Sequence, residues 1–170
     1  KQIKNKIMKK IIVLIVSLCF TFCAMSQTYV NLSPSVFINT TGTFREKTMA
    51  TIEVGRTWEP VSVGLALGKT TFAKQKGQDT AFYAEVRGTY TLFTKNDFSA
   101  GVSLGVGHIF NAKQNFLTEF SYNIGYSFNQ NISVNVFQGF YHFDGKLASN
   151  KYAFMGAGIT ISFPHLLKVN

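Results

Sequence analysis

Four charged side chains stand apart because they interrupt stretches that otherwise alternate between apolar and small polar residues. In each stretch the charge takes a small-residue position, so one face of the structure would carry all four: Glu53, Glu85, Arg87 and Glu119. Buried charges require partners, and these four supply one another only partly, because three carboxylates face one guanidinium. We interpret the four as an ion network that fills a narrow interior. A polar relay, or the constriction of a pore, is the alternative interpretation.

Other patterns that could carry chemistry are weak. Gly101, Gly105 and Gly107 superficially resemble a nucleotide-binding loop, but they lie inside an alternating stretch that no helix follows. Both cysteines, Cys19 and Cys23, precede residue 27, and no spacing indicates a metal site. We therefore expect no catalytic residue, no cofactor and no metal.

Residues 1–26 have the features of a signal peptide. A basic start precedes an apolar run from Ile11 to Ala24, which is shorter than the ~20 residues that a spanning helix needs. Ala24, Met25 and Ser26 form a cleavage site of the expected small-residue kind. Met8 is a candidate start, which would make residues 1–7 upstream sequence. An uncleaved N-terminal anchor is the alternative.

The charge balance argues against nucleic acid as a partner. The sequence has 17 Lys and Arg, of which five precede residue 27, so 12 remain against eight acids. No helix-turn-helix, zinc or ribonucleoprotein pattern is present. We therefore expect no nucleic-acid binding.

Eight alternating segments must position the four charges. Each is about as long as the ~9–11 residues of a tilted membrane-spanning strand, and the connections alternate between tight turns and longer loops. This pattern predicts an all-β fold, an eight-stranded antiparallel up-and-down transmembrane β-barrel over residues 27–163, with a C-terminal tail at 164–170. The predicted strands are Tyr29–Asn39, Thr48–Trp58, Val61–Phe72, Thr80–Phe93, Phe98–Phe110, Phe116–Phe128, Ile132–Phe143 and Tyr152–Phe163.

The small face is expected to point inward and the apolar face toward lipid. A soluble barrel such as a lipocalin would carry Lys, Glu and Asp on its polar face, whereas here that face carries mainly Gly, Ser, Thr and Asn. An eight-stranded interior is just wide enough to be filled by side chains. The predicted strand Phe98–Phe110, whose inner face is mainly Gly and Ser, therefore leaves room for side chains from other strands. We expect Phe37, Tyr83 and Phe137 to fill the interior beside the four charges. Aromatic residues near both ends, Tyr152 among them, predict two interfacial girdles.

The segments and their connections resemble the small eight-stranded outer-membrane β-barrels of the OmpA/OmpX type. The resemblance covers Thr28 to Phe163 and includes a terminal strand that ends in Ile159, Ile161 and Phe163. It implies export by a cleaved signal peptide to the outer membrane of a Gram-negative bacterium, with help from the barrel assembly machinery. The shared features are architectural, so the resemblance implies fold and place more than activity.

We expect a porin-like cell-surface protein with a closed polar lumen and a structural or surface-interaction role, acting as a monomer and not as an enzyme. Outer-membrane lipid and lipopolysaccharide are the expected partners, because cations in the longer loops can pair with phosphate. These cations are Arg45, Lys47, Lys74, Lys76, Lys113, Lys146 and Lys151.

A lipid A-modifying barrel enzyme and a small pore are the alternative functions. Barrels that deacylate lipid A use a histidine that resembles an H-x-S pattern. His108 and His142 lie near the longer loops, but His142 is followed by Phe143 and Asp144, which puts Asp where Ser is expected. Ser149 lies in the adjacent loop, and nothing in the sequence fixes it against His142.

Overall fold

The computed structural model describes residues 26–38, 44–71, 80–110, 115–143 and 151–163. Within these ranges no helix is long and apolar enough to cross a membrane. Residues 1–25 of the predicted signal peptide (1–26) and the predicted tail at 164–170 lie outside the described residues.

Eight antiparallel strands make up the described chain. Each pairs with its neighbours in sequence, and the last pairs with the first from Thr28–Phe163 to Ile38–Ala153, so the sheet closes into a barrel. The predicted all-β, eight-stranded barrel is confirmed. The strands are β1 (Gln27–Ile38), β2 (Phe44–Trp58), β3 (Val61–Thr70), β4 (Ala81–Lys95), β5 (Phe98–Ile109), β6 (Phe116–Ser127), β7 (Ile132–Phe143) and β8 (Lys151–Phe163).

The two ends of the barrel differ in the length of their connections. At one end, the short-turn end, the strands are joined by residues 59–60, 96–97 and 128–131. Asn96 has a φ of 53°, a left-handed conformation that Asn tolerates better than most residues. In the third turn, the Asn129 side-chain oxygen accepts hydrogen bonds from the backbone N–H of Asn131 at 2.8 Å and of Ile132 at 2.9 Å. The opposite end, the long-loop end, carries the connections 39–43, 71–80, 110–115 and 144–150.

Side chains alternate between the two faces of every strand, and the outer face is the apolar one. Large apolar residues are exposed on all eight strands, for example Leu32, Ile52, Leu65, Val86, Leu104, Phe120, Val136 and Ile159. A register shift between Thr91 and Phe93 interrupts the alternation in β4 and leaves both Leu92 and Phe93 exposed. Arg56 also faces outward, near the short-turn end, where its Nη1 lies 3.5 Å from the Ser26 hydroxyl.

The glycine face of β5 makes room for the neighbouring strand β4. The Glu85 carboxylate occupies the space that a Cβ at Gly105 would need. At Gly107 the same space is taken by the backbone, with Glu85 Cα 2.9 Å from the position of a Cβ. Glycine is therefore required here by close approach, as its placement inside a strand indicates.

The half of the lumen nearer the long-loop end is filled by an apolar plug. It consists of Phe37, Met49, Ala81, Tyr83, Ile109, Leu117, Tyr141 and Phe154. The rings of Tyr141 and Phe154 are stacked with centroids 4.5 Å apart. Phe37 and Tyr83 are thus buried inside, and Phe137 packs against the plug while staying half-buried.

Tyr152 corrects one expectation. From the sequence we expect Tyr152 in an outer aromatic girdle, but it packs against the plug, with its ring 6.0 Å from that of Phe37. Tyr152 shares its parity with the buried Phe154, so it lies on the inner face of β8.

Candidate functional site

The four charges found in the sequence meet in the middle of the lumen. Arg87 donates hydrogen bonds from Nη1 to Glu53 at 2.8 Å and from Nη2 to Glu119 at 2.5 Å. Arg87 Nη2 also lies 3.5 Å from Glu85 Oε2. Arg87 and Glu85 come from β4, Glu53 from β2 and Glu119 from β6, so the guanidinium bridges strands on different sides of the barrel.

Hydroxyl groups supply the remaining donors to two of the carboxylates. Tyr29 donates to Glu53 Oε1 at 2.5 Å. Glu119 accepts from Tyr141 at 2.9 Å and from Ser121 at 2.7 Å. Tyr29 and Tyr141 were not predicted from the sequence as members of the ion network, although their parity places them on the inner face.

Glu85 is the unsatisfied member of this network. Its side chain is fully buried, yet neither carboxylate oxygen accepts a hydrogen bond within the described residues. Arg87 Nε is also buried without a hydrogen-bond partner there. Arg87 therefore lies within 3.5 Å of all three carboxylates, and the hydrogen-bond donors are unevenly distributed among them.

Below the network, toward the short-turn end, lies a polar cavity of about 170 Å³, which we call the vestibule. Glu53, Arg87 and Glu119 line its inner end, and Ser62 and Ser162 lie near the short-turn end. The inward residues at that end are half-buried, unlike the buried residues of the apolar plug. The lumen is thus closed toward the longer loops by apolar packing and is polar toward the short turns.

The other candidates from the sequence do not join this site. His108 and His142 are exposed on the outer face, and the ring of His108 lies 5.2 Å from that of Phe110. Among the described residues no group of His, Cys, Asp and Glu is arranged to hold a metal ion. Ser149 and the loop cations Lys74, Lys76, Lys113 and Lys146 lie outside the described residues. For Arg45, Lys47 and Lys151 only the strand backbone is described.

Comparison with solved structures identifies the type of fold. The N-terminal β-barrel domain of Pseudomonas aeruginosa OprF matches with a TM-score of 0.60 at 13% identity, covering 82% of this chain and 98% of that one. A de novo designed transmembrane β-barrel matches with a TM-score of 0.59 at 12% identity, covering 81% and 95%. Neisserial surface protein A matches with a TM-score of 0.53 at 12% identity, covering 81% and 97%.

Sequence comparison finds no counterpart at the family level: no family model and no curated protein matches the chain. At identities this low, the structural matches establish the fold alone. The chain is therefore an all-β, closed, eight-stranded antiparallel barrel, similar in fold to transmembrane β-barrels.

Proposed function

We propose that this protein is a monomeric barrel of the outer membrane of a Gram-negative bacterium, with a structural or surface-interaction role and a closed lumen. One observation carries the proposal: large apolar side chains are exposed on the outer face of all eight strands, while the four charges of the ion network lie inside the barrel. Water would penalise such a surface, because monomeric soluble proteins rarely expose apolar patches beyond a few hundred Å². A bilayer would stabilise it.

Aromatic side chains near both ends of the barrel support the same proposal. Near the short-turn end the ring of Tyr126 lies 5.0 Å from Phe98 and 5.2 Å from Phe128. Near the long-loop end Phe110 and Phe116 are exposed. Aromatic girdles at the two interfaces are typical of membrane barrels.

The requirement for an apolar solvent tests the membrane proposal. The chain from Gln27 should fold only when detergent or lipid is added, and unheated samples should then migrate differently in gels from heated ones. The physical reason is that detergent or lipid removes the exposed apolar side chains of the outer face from contact with water, which is favourable. A monodisperse, β-rich protein that melts cooperatively in plain buffer would overturn the proposal in favour of a soluble barrel.

The asymmetry of the connections supports an orientation with the short turns in the periplasm and the longer loops outside. Single cysteines at positions 76 and 95, labelled on whole cells with a membrane-impermeant reagent, would test it. We expect label at position 76 and none at position 95. The reverse result would mean that the barrel has the opposite orientation in the membrane. The proposed contact of the loop cations with lipopolysaccharide phosphates depends on this orientation.

We also propose that the barrel is not an enzyme. The exposed positions of His108 and His142 on the outer face, with His108 beside the ring of Phe110, support an interfacial role. Expression of the protein should leave the acyl pattern of lipid A unchanged in mass spectra. A change in that pattern that His142→Ala abolishes would show that the barrel modifies lipid A.

A further inference from the structure

We propose that the vestibule binds a small organic cation of about six non-hydrogen atoms, which enters from the short-turn end and places an ammonium group beside Glu53 and Glu119. The inference goes beyond the proposed membrane role, and it concerns the lumen alone. Charge, hydrogen-bonding capacity and size each contribute to it.

The charge at the inner end of the vestibule is negative. Glu53 and Glu119 line the cavity together with Arg87, and Glu85 lies directly behind them. One guanidinium therefore faces the two carboxylates that line the cavity, Glu53 at 2.8 Å and Glu119 at 2.5 Å, which leaves this end with a net negative charge. Since a low-dielectric interior strengthens electrostatic interactions, a cation in the vestibule would be attracted toward this end.

The two glutamates that reach the cavity retain capacity for another donor. An ionised carboxylate has about four lone-pair sites. Glu53 accepts one hydrogen bond on each oxygen, from Tyr29 and from Arg87. An ammonium group is a compact donor of three hydrogen bonds, and it can add to these carboxylates without displacing Arg87.

A second, independent feature of the wall also indicates a ligand. The Ser33 residue is 4% exposed and lines the vestibule, and its hydroxyl is open to the cavity without a hydrogen bond to another described residue. Asn31 and Asn135 line the same cavity and share Thr160, which donates to the Asn31 side-chain oxygen at 3.2 Å. A hydroxyl that faces a cavity can donate a hydrogen bond to a bound molecule or accept one from it, so the wall is suited to a ligand with a polar end.

The volume limits the ligand to a small molecule. At about 170 Å³, the vestibule is close to the ~150 Å³ cavity that admits a ring of six carbons. The buried apolar plug closes the lumen above it within the described residues, so entry is from the short-turn end. A chain of six non-hydrogen atoms with an ammonium at one end and a hydroxyl at the other fits these conditions.

A matched pair of probes tests the proposal on the barrel folded in detergent. 4-Amino-1-butanol and 1,4-butanediol each have six non-hydrogen atoms, and they differ only in that an ammonium group of the first takes the place of one hydroxyl of the second. Titration followed by calorimetry and by amide chemical shifts should show saturable binding of the amine, at least tenfold tighter than that of the diol. Equal affinities, or no saturable binding of the amine, would overturn the proposal.

Two pairs of variants locate the binding. Glu119→Gln should weaken amine binding at least fivefold, whereas Glu59→Gln, which removes the same charge from an exposed turn, should leave it unchanged within twofold. Ser162→Trp should obstruct the vestibule, whereas Ile161→Trp on the outer face of the same strand should not. Ser162→Trp does not alter the ion network, so it serves even if Glu119→Gln fails to fold. Unchanged binding in Ser162→Trp would place the amine elsewhere and refute the site.

The outcome is separable from that of the membrane proposal. Binding is measured only on protein that shows the folded gel migration, so failure to bind leaves the solvent requirement untouched. Conversely, a barrel that folded in plain buffer would refute the membrane role and could still be titrated with both probes.

Discussion

Single residues in the lumen differ sharply in how well their charges are compensated. Glu119 accepts hydrogen bonds from Arg87, Tyr141 and Ser121, whereas the equally buried Glu85 accepts none from the described residues. The sequence could predict which charges meet, because parity along a strand fixes the face. It could not predict this inequality, because donor geometry depends on the relative heights of different strands.

This inequality predicts opposite outcomes for the same substitution. Glu119→Gln should lower the free energy of unfolding by about 2 kcal/mol, since a hydrogen bond to a charged group contributes ~1.5–3 kcal/mol. Glu85→Gln should be neutral or stabilising, because it replaces a buried carboxyl group that accepts no hydrogen bond from the described residues and preserves its shape. Urea unfolding in lipid vesicles would measure both, with the exposed Glu59→Gln as control. A larger loss for Glu85→Gln would contradict the assignment of Glu85 as the unsatisfied member.

At the scale of strands, the alternation of apolar and small polar residues predicts most of the fold. All eight segments predicted from alternation are strands, but several boundaries differ. β2 begins at Phe44 rather than Thr48, because charged residues obscure the alternation there without preventing pairing with β1. The irregularity that leaves Leu92 and Phe93 both outside was not predicted, since a register shift in one strand depends on its partner.

The closeness of β4 and β5 predicts that two glycines will respond differently to the same change. A Cβ at Gly107 would meet the β4 backbone around Glu85, whereas the nearest atom to a Cβ at Gly88 is the Leu104 carbonyl oxygen at 4.0 Å. Gly107→Ala should destabilise the barrel by roughly 1–3 kcal/mol through overpacking. Gly88→Ala should be neutral or stabilise by up to ~1 kcal/mol. Unfolding in vesicles would measure the pair, and equal effects would mean that the strands separate more easily than their packing indicates.

The whole molecule inverts the usual distribution of polarity, and the sequence predicted this from the Gly, Ser, Thr and Asn residues that make up most of the small face. It did not predict that the lumen divides into an apolar plug and a polar vestibule. That division requires residues distant in sequence to reach the same height, as when Phe37 of β1 meets Tyr141 of β7 and Tyr152 of β8. Closure of the barrel sets those heights, and alternation within one strand contains no information about them.

The last prediction concerns the depth of outer-face residues in the membrane. The cost of a charge on the outer face depends on this depth only if that face lies in a bilayer. Leu104 and Leu92 are almost equally exposed, at 65% and 61%, but Leu104 lies in the middle of β5 and Leu92 near the short-turn end of β4. Leu104→Lys should cost about 2–4 kcal/mol, the value for a charge at the midplane, and Leu92→Lys only ~0–1 kcal/mol.

In a soluble barrel both substitutions would place Lys in water, where surface changes usually stay within ~0.5 kcal/mol. Urea unfolding of the two variants in vesicles, each compared with the parent protein, measures the difference directly. Because exposure is matched, a large difference can come only from the depth of each position in the bilayer. Two equal and small losses would mean that the apolar belt does not lie in lipid, and the membrane assignment would have to be abandoned.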